Sequence, residues 1–140
     1  MNLIIEEMYP LIQADALNSN INLSLKVNTV PDIFLNKREI RQLILNLVKN
    51  GMEAMPKGGT VLIKTFTTEE QVVLAICDEG PGIDNAILDK LGTPFFTTKE
   101  NGTGLGLATC YNIAERNNAK IDVETGPSGT TFYVKFNKLN

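Results

Sequence analysis

The sequence predicts an α+β fold, a two-layer sandwich in which a mixed β-sheet is covered by helices on one face. Three observations predict it. Helical and strand periodicities alternate along one chain, in the order helix, strands, helix, two strands, helix, loop, helix, two strands. The segment Ile21-Asn22-Leu23-Ser24-Leu25-Lys26-Val27 alternates strictly, the mark of a half-buried strand. Val72-Val73-Leu74-Ala75-Ile76-Cys77 is almost wholly apolar, the mark of a strand in the middle of a sheet.

Residues 2–17 read as an amphipathic helix with Leu3, Ile4, Met8, Leu11 and Ile12 inward, and Pro10 kinks it or marks a restart. After the strand at 21–27, Val30-Pro31-Asp32 signals a turn and residues 33–35 a short strand. Asn36 is placed to cap the next helix, with Glu39 completing a variant capping box. That helix runs to about Met55 on a core face of Ile40, Leu43, Ile44, Leu47, Val48, Gly51 and Met55, and Pro56-Lys57-Gly58-Gly59 stops it. Residues 60–67 and 71–77 form a hairpin around Thr68-Glu69-Glu70. A short helix is expected at 84–91, a loop at 92–102, and a helix at 104–116 with Leu107, Cys110, Tyr111 and Ala114 inward. Residues 119–124 and 130–136 close the chain as a second hairpin, turning at Gly126-Pro127-Ser128-Gly129.

A chain of 140 residues is expected to form one domain with a core of its own. Its net charge of −3, with no basic block, argues against a nucleic-acid partner, so any polyanion must be held by local features. No run approaches the ~20 apolar residues of a membrane span. The start, Met1-Asn2-Leu3-Ile4-Ile5-Glu6-Glu7, does not read as a signal peptide, and a cytoplasmic setting is expected. Cys77 and Cys110 lie in apolar surroundings and are expected as buried free thiols. The chain has no histidine, so it supplies neither a histidine base nor a histidine phosphoacceptor, and a zinc site is not expected.

Three blocks carry chemistry. On the 36–55 helix, Asn46, Asn50 and Glu53 fall within about 60° of one another, a polar stripe beside the apolar face. Taken alone it reads first as a solvated face and second as a magnesium site, in which one carboxamide oxygen joins phosphate oxygens and waters. The second block, Asp78-Glu79-Gly80-Pro81-Gly82, ends the central strand. It is either an ordinary turn or a covered carboxylate that accepts from the amine of adenine, with glycines that admit a flat base. The third, Gly102-Thr103-Gly104-Leu105-Gly106-Leu107, opens a helix. It is either a flexible start or a ring of N–H groups for phosphate at a helix amino terminus. Between the last two, the Phe95-Phe96 pair of Thr93-Pro94-Phe95-Phe96-Thr97-Thr98-Lys99 plugs the core or anchors a lid, from which Lys99 would meet a terminal phosphate.

Together the blocks resemble the ATP-binding catalytic domain of sensor histidine kinases, in the superfamily of gyrase, the large heat-shock chaperone and MutL, and of the Bergerat type. Residues 46–55 resemble its N box, 78–83 and 102–107 its two glycine boxes, 94–99 its F box, and Gly129-Thr130-Thr131-Phe132 its closing strand. The Phe-Phe-Thr-Thr-Lys form looks most like the nitrogen-regulator and sporulation-kinase branches. The resemblance implies that Asn50 coordinates Mg2+ with Asn46 in support, and that Asp78 receives the adenine amino group. Gly80 and Gly82 seat the base, Gly102, Gly104 and Gly106 wrap the phosphates, Thr130 bonds near the base, and Lys99 contacts phosphate. It also sets Glu53, Ile83, Phe95, Thr103, Leu105 and Leu107 along the nucleotide. The implied reaction moves the γ-phosphoryl group of ATP to a histidine on a separate dimerisation and phosphoacceptor domain, and thence to a response regulator. The fragment itself is expected to be monomeric.

Two departures stand out: Gly51 replaces the alanine usual after the metal-binding Asn, and the phosphoacceptor hairpin is missing. The hydrolytic relatives, and the serine-kinase anti-sigma factors, carry glutamate where this chain has Asn46. A non-catalytic copy would have lost Asp78, Asn50 or a glycine. A dinucleotide-binding domain would need Gly-x-Gly-x-x-Gly after a strand.

Overall fold

The computed structural model describes residues 1–83 and 105–138, with the backbone alone at Leu105. The short helix expected at 84–91, the loop at 92–102, and Phe95, Phe96, Lys99, Gly102, Thr103 and Gly104 lie outside the described residues. In chain order the elements are α1 (Asn2–Asn18), β1 (Ile21–Val27), α2 (Lys37–Glu53), β2 (Gly59–Thr67), β3 (Gln71–Asp78), α3 (Leu105–Arg116), β4 (Ala119–Gly126) and β5 (Gly129–Asn137). The strands form one mixed sheet in the order β1-β2-β3-β5-β4, with β1 parallel to β2 and every other pair antiparallel. A parallel pair needs a long crossover, and α2 is that crossover. The three helices among the described residues lie on one face of the sheet: α1 over β1, α2 over β2 and β3, and α3 over β4.

Strand alternation explains which side is filled. Val61 and Ile63 of β2, Val72, Leu74 and Ile76 of β3, and Phe132, Val134 and Phe136 of β5 point at the helices and are buried. Val73 and Ala75 are buried too, although they face away from the helices. They are small residues in register with Phe66 and Lys64 on one side and Lys135 and Tyr133 on the other, whose long side chains flank them. Thr65, fully buried, accepts from the Asn28 N–H at 3.1 Å and donates to Asn2 Oδ1 at 2.8 Å, which ties α1 to the sheet.

The helices show where sequence patterning misleads. In α1 the inward face is Ile4, Ile5, Met8, Ile12 and Ala16, while Leu3 and Leu11, expected inside, are each 62% exposed. Two apolar stripes compete on this helix, and the one that includes Ile5 and Ala16 carries the longer i, i+4 series. Pro10 lies inside one continuous helix. Residues 33–35 are not a strand. Ile33 and Leu35 pack on the core and Phe34 is 83% exposed, so the alternation exists, but β1 ends at Val27 and leaves them no strand to pair with. Cys77, expected inside, is half-buried on the outward side of β3, in register with Leu62 and Thr131. Met55 is buried beyond the end of α2.

The cap of α2 is half as expected. Asn36 Oδ1 accepts from the Glu39 N–H at 3.0 Å, but Glu39 does not reach back. Its carboxylate meets Arg116, at 2.6 Å, and the Asn117 amide, at 3.2 Å, and the Arg116 guanidinium holds it below the usual carboxylate range. The Asn36 N–H goes instead to Asn117 Oδ1 at 2.7 Å. Asn117 is buried, and its amide also donates to the Ile113 carbonyl at 2.8 Å. One side chain thus ends α3 and begins α2, which locks the two helices together.

Gly51 lies on the buried face of α2. A Cβ there would lie 3.4 Å from Asp78 Cβ and 3.6 Å from Val61 Cγ2, ordinary contact rather than clash. Gly51→Ala is therefore expected to stabilise the domain by up to ~1 kcal/mol through helix propensity. A raised urea midpoint at unchanged slope checks this; a lowered midpoint would mean the site has no room for a methyl group.

Candidate functional site

The described residues of the three sequence blocks meet at one end of the sheet. Gly51, next to Asn50 in α2, faces Asp78 at the end of β3. Asn46 Nδ2 donates to the Gly106 carbonyl at 3.3 Å, joining α2 to the first turn of α3. The Thr130 N–H donates to Asp78 Oδ1 at 3.3 Å, joining β5 to β3.

Asp78 is 9% exposed, so its carboxylate needs partners. Its Oδ1 accepts from Thr130 and, at 2.8 Å, from the Gly80 N–H. The second contact is an Asx-type turn that bends the chain as it leaves the strand. Packing requires both glycines of this turn before any ligand is considered. A Cβ on Gly80 would lie 2.9 Å from Ala54 Cβ at the end of α2. Gly82 has φ +89°, and a Cβ there would lie 2.3 Å from the Gly126 carbonyl oxygen.

Beyond Gly82 the chain is held by a pair of hydroxyls. The Ile83 N–H donates to Thr125 Oγ1 at 2.7 Å, and Thr125 Oγ1 lies 2.8 Å from Thr130 Oγ1. Thr130 is 5% exposed and stands in register between Asp78 and Thr125. Sequence reasoning missed Thr125. Hairpin counting finds it: a two-residue turn at Pro127-Ser128 pairs Gly126 with Gly129 and so Thr125 with Thr130.

On α2, Asn46 and Asn50 are half-buried and Glu53 is exposed. Asn46 Oδ1 accepts from Gln42 Nε2 at 2.8 Å, so its carboxamide is engaged at both ends. Behind it, the buried Cys110 thiol lies 3.8 Å from the Leu43 carbonyl, and burial pushes its pKa up to about 12. It remains a thiol at neutral pH, neither nucleophile nor metal ligand. Gly106 is exposed and Leu107 is half-buried against the core. Among the described residues nothing lies within 4 Å of a Cβ built on Gly106, so packing gives no reason for that glycine.

The donor set suits a particular kind of ion. Among the described residues no three Asp, Glu, Cys or His side chains gather into a metal cage. The carboxamide oxygen of Asn50 is a hard donor, and an ion held there would need further ligands from a bound anion and water, which suits Mg2+.

The family model for histidine kinase-, DNA gyrase B- and HSP90-like ATPases matches residues 35–140. Sporulation kinase C of Bacillus subtilis is 35% identical over 137 residues, which cover 96% of this chain and 32% of that protein. The chain thus spans about a third of that relative's length. Among solved structures, the catalytic domain of histidine kinase ThkA superposes with a TM-score of 0.88 at 31% identity, covering 99% of this chain and 92% of that one. The complex of histidine kinase ThkA with response regulator protein TrrA superposes at 0.84 with 27% identity, covering 99% of this chain and 40% of that one. No helix among the described residues is long and apolar enough to cross a membrane.

Proposed function

The chain belongs to the histidine kinase-, DNA gyrase B- and HSP90-like ATPase family, and on that premise we propose that it binds Mg-ATP and phosphorylates a histidine on another domain. The observation that carries the reading is the convergence of Asp78, Asn46 beside Asn50, and the first turn of α3. Asp78, fixed by two backbone N–H groups, accepts the exocyclic amine of adenine. The Gly80–Ile83 turn and Thr130 form the seat of the base, and Glu53 and Leu107 border the nucleotide. The phosphates would lie at the start of α3, and the family resemblance gives Gly102, Thr103, Gly104, Leu105, Gly106, Phe95 and Lys99 their contacts with the nucleotide. Asn50 would hold magnesium, which supplies neutralisation of phosphate charge when bound.

Phosphoryl transfer asks for alignment and charge stabilisation more than for covalent help. An imidazole nitrogen of the partner domain attacks the γ-phosphorus, the bond to the β-phosphate oxygen breaks, and ADP leaves. Neutral imidazole brings its own lone pair, so this chain needs no strong base. Asn46 supports this division of labour. Its amide takes no proton at neutral pH, and its oxygen already accepts from Gln42, so it does not activate water. The partner histidine lies on a dimerisation and phosphoacceptor domain, a response regulator receives the phosphoryl group next, and the setting is the cytoplasm.

The test follows from Asn46. The isolated domain is expected to bind Mg-ATP, to hydrolyse it far more slowly than one turnover per second, and to give an acid-labile phosphoprotein with a histidine-bearing helical hairpin. Fast hydrolysis without a partner would favour an ATPase, and acid-stable phosphate on a serine substrate would favour a serine kinase.

A further inference from the structure

The Asn46 carboxamide is the polar link between α2, which carries Asn50, and the first turn of α3. An amide can turn over, and only one orientation makes this link. With Nδ2 toward the Gly106 carbonyl it donates; turned over, two carbonyl oxygens would face each other. The Asn46 side chain also meets the Cys110 thiol behind it, and its oxygen end has a donor of its own. Gln42, one turn earlier on α2, donates Nε2–H to Asn46 Oδ1 at 2.8 Å. Gln42 is exposed and lies four residues before Asn46 on α2.

We propose that Gln42 is a positioning residue for nucleotide binding: it fixes the Asn46 amide, and through Gly106 the first turn of α3, against the Asn50 face of α2. The far end of α3 is already locked to α2 by Asn117, and Cys110 approaches Leu43 between. The amino-terminal end is where the phosphates would lie, and there the Gln42–Asn46–Gly106 chain ties α3 to α2. Gln42 touches no phosphate itself. The inference rests on the ATP-site reading above.

The test uses Gln42→Met, which keeps length and removes the donor without adding charge. Affinity is compared for Mg-ATP, which has phosphates, and for adenosine, which has none. Gln42→Met is expected to weaken Mg-ATP about five-fold, the size of one hydrogen bond, and to leave adenosine unchanged. In an Asn46→Ala background the same substitution is expected to have no further effect, because Gln42 acts through Asn46. Equal losses for ATP and adenosine, losses that add across the double mutant, or wild-type ATP affinity in Gln42→Met would each overturn the proposal. Wild-type protein that binds neither ligand would instead overturn the ATP-site reading, and this inference with it.

Discussion

Asp78→Ala is expected to weaken ATP binding at least about a hundred-fold, because a charged acceptor is lost from a covered site. Asp78 ends a strand whose residues before it are almost all buried, so water cannot replace the carboxylate cheaply. The substitution has a second effect. The Gly80 and Thr130 N–H groups lose their shared acceptor, which costs the fold roughly 1–3 kcal/mol for each buried group left unpaired. Calorimetric titration is therefore read beside a thermal melt. Asp78→Asn separates the two effects: its amide oxygen still accepts from Gly80 and Thr130, while the negative charge facing the purine is gone. An Asp78→Asn protein that melts near the wild type and no longer binds ATP is the expected result. Wild-type affinity in a folded Asp78→Ala protein would remove Asp78 from the site.

Asn50→Ala is expected to remove the magnesium dependence of binding and to slow phosphoryl transfer at least about a hundred-fold, since metal neutralisation of phosphate charge contributes several kcal/mol. Affinity for ATP in the variant should be the same in magnesium and in chelator, whereas the wild type should bind more tightly in magnesium. A variant that transfers phosphate at the wild-type rate would show the metal assignment to be wrong. Asn46→Ala should behave differently, because Asn46 spends its amide on Gln42 and Gly106. It would loosen the first turn of α3 while the response to magnesium persists.

How much of this was legible in the sequence depends on how local the cause is. β1 was legible because strict alternation is a period-2 signal, and β3 because a short, β-branched apolar run bounded by turn signals suits a strand buried on both faces. The Asn36 cap was legible because its partner is three residues away. The other half of that cap was not, since Asn117 is 81 residues distant and only the packing of α3 on α2 delivers it. The inward face of α1 was misjudged because Leu3 and Leu11 are as apolar as Ile5 and Ala16, and only the neighbours decide which stripe is covered. Residues 33–35 have the side-chain pattern of a strand without a strand beside them.

At the site, the three blocks could be found as motifs, but their convergence belongs to the fold. Gly80 and Gly82 illustrate the difference. The sequence suggests glycine for access of a flat base, whereas Ala54 and Gly126 crowd these positions whatever the ligand. Thr125 and Gln42 were passed over because their partners are set by the fold: Thr125 meets Ile83 and Thr130 across the sheet end, and Gln42 meets the Asn46 amide that reaches Gly106.

The most direct test of the central claim is a crystal structure of the domain with magnesium and a non-hydrolysable ATP analogue. The expected result has the adenine amino group within hydrogen-bond distance of the Asp78 carboxylate, the metal on the Asn50 carboxamide, and the phosphates at the first turn of α3. A nucleotide bound elsewhere, or this end of the sheet empty at saturating ligand, would contradict it.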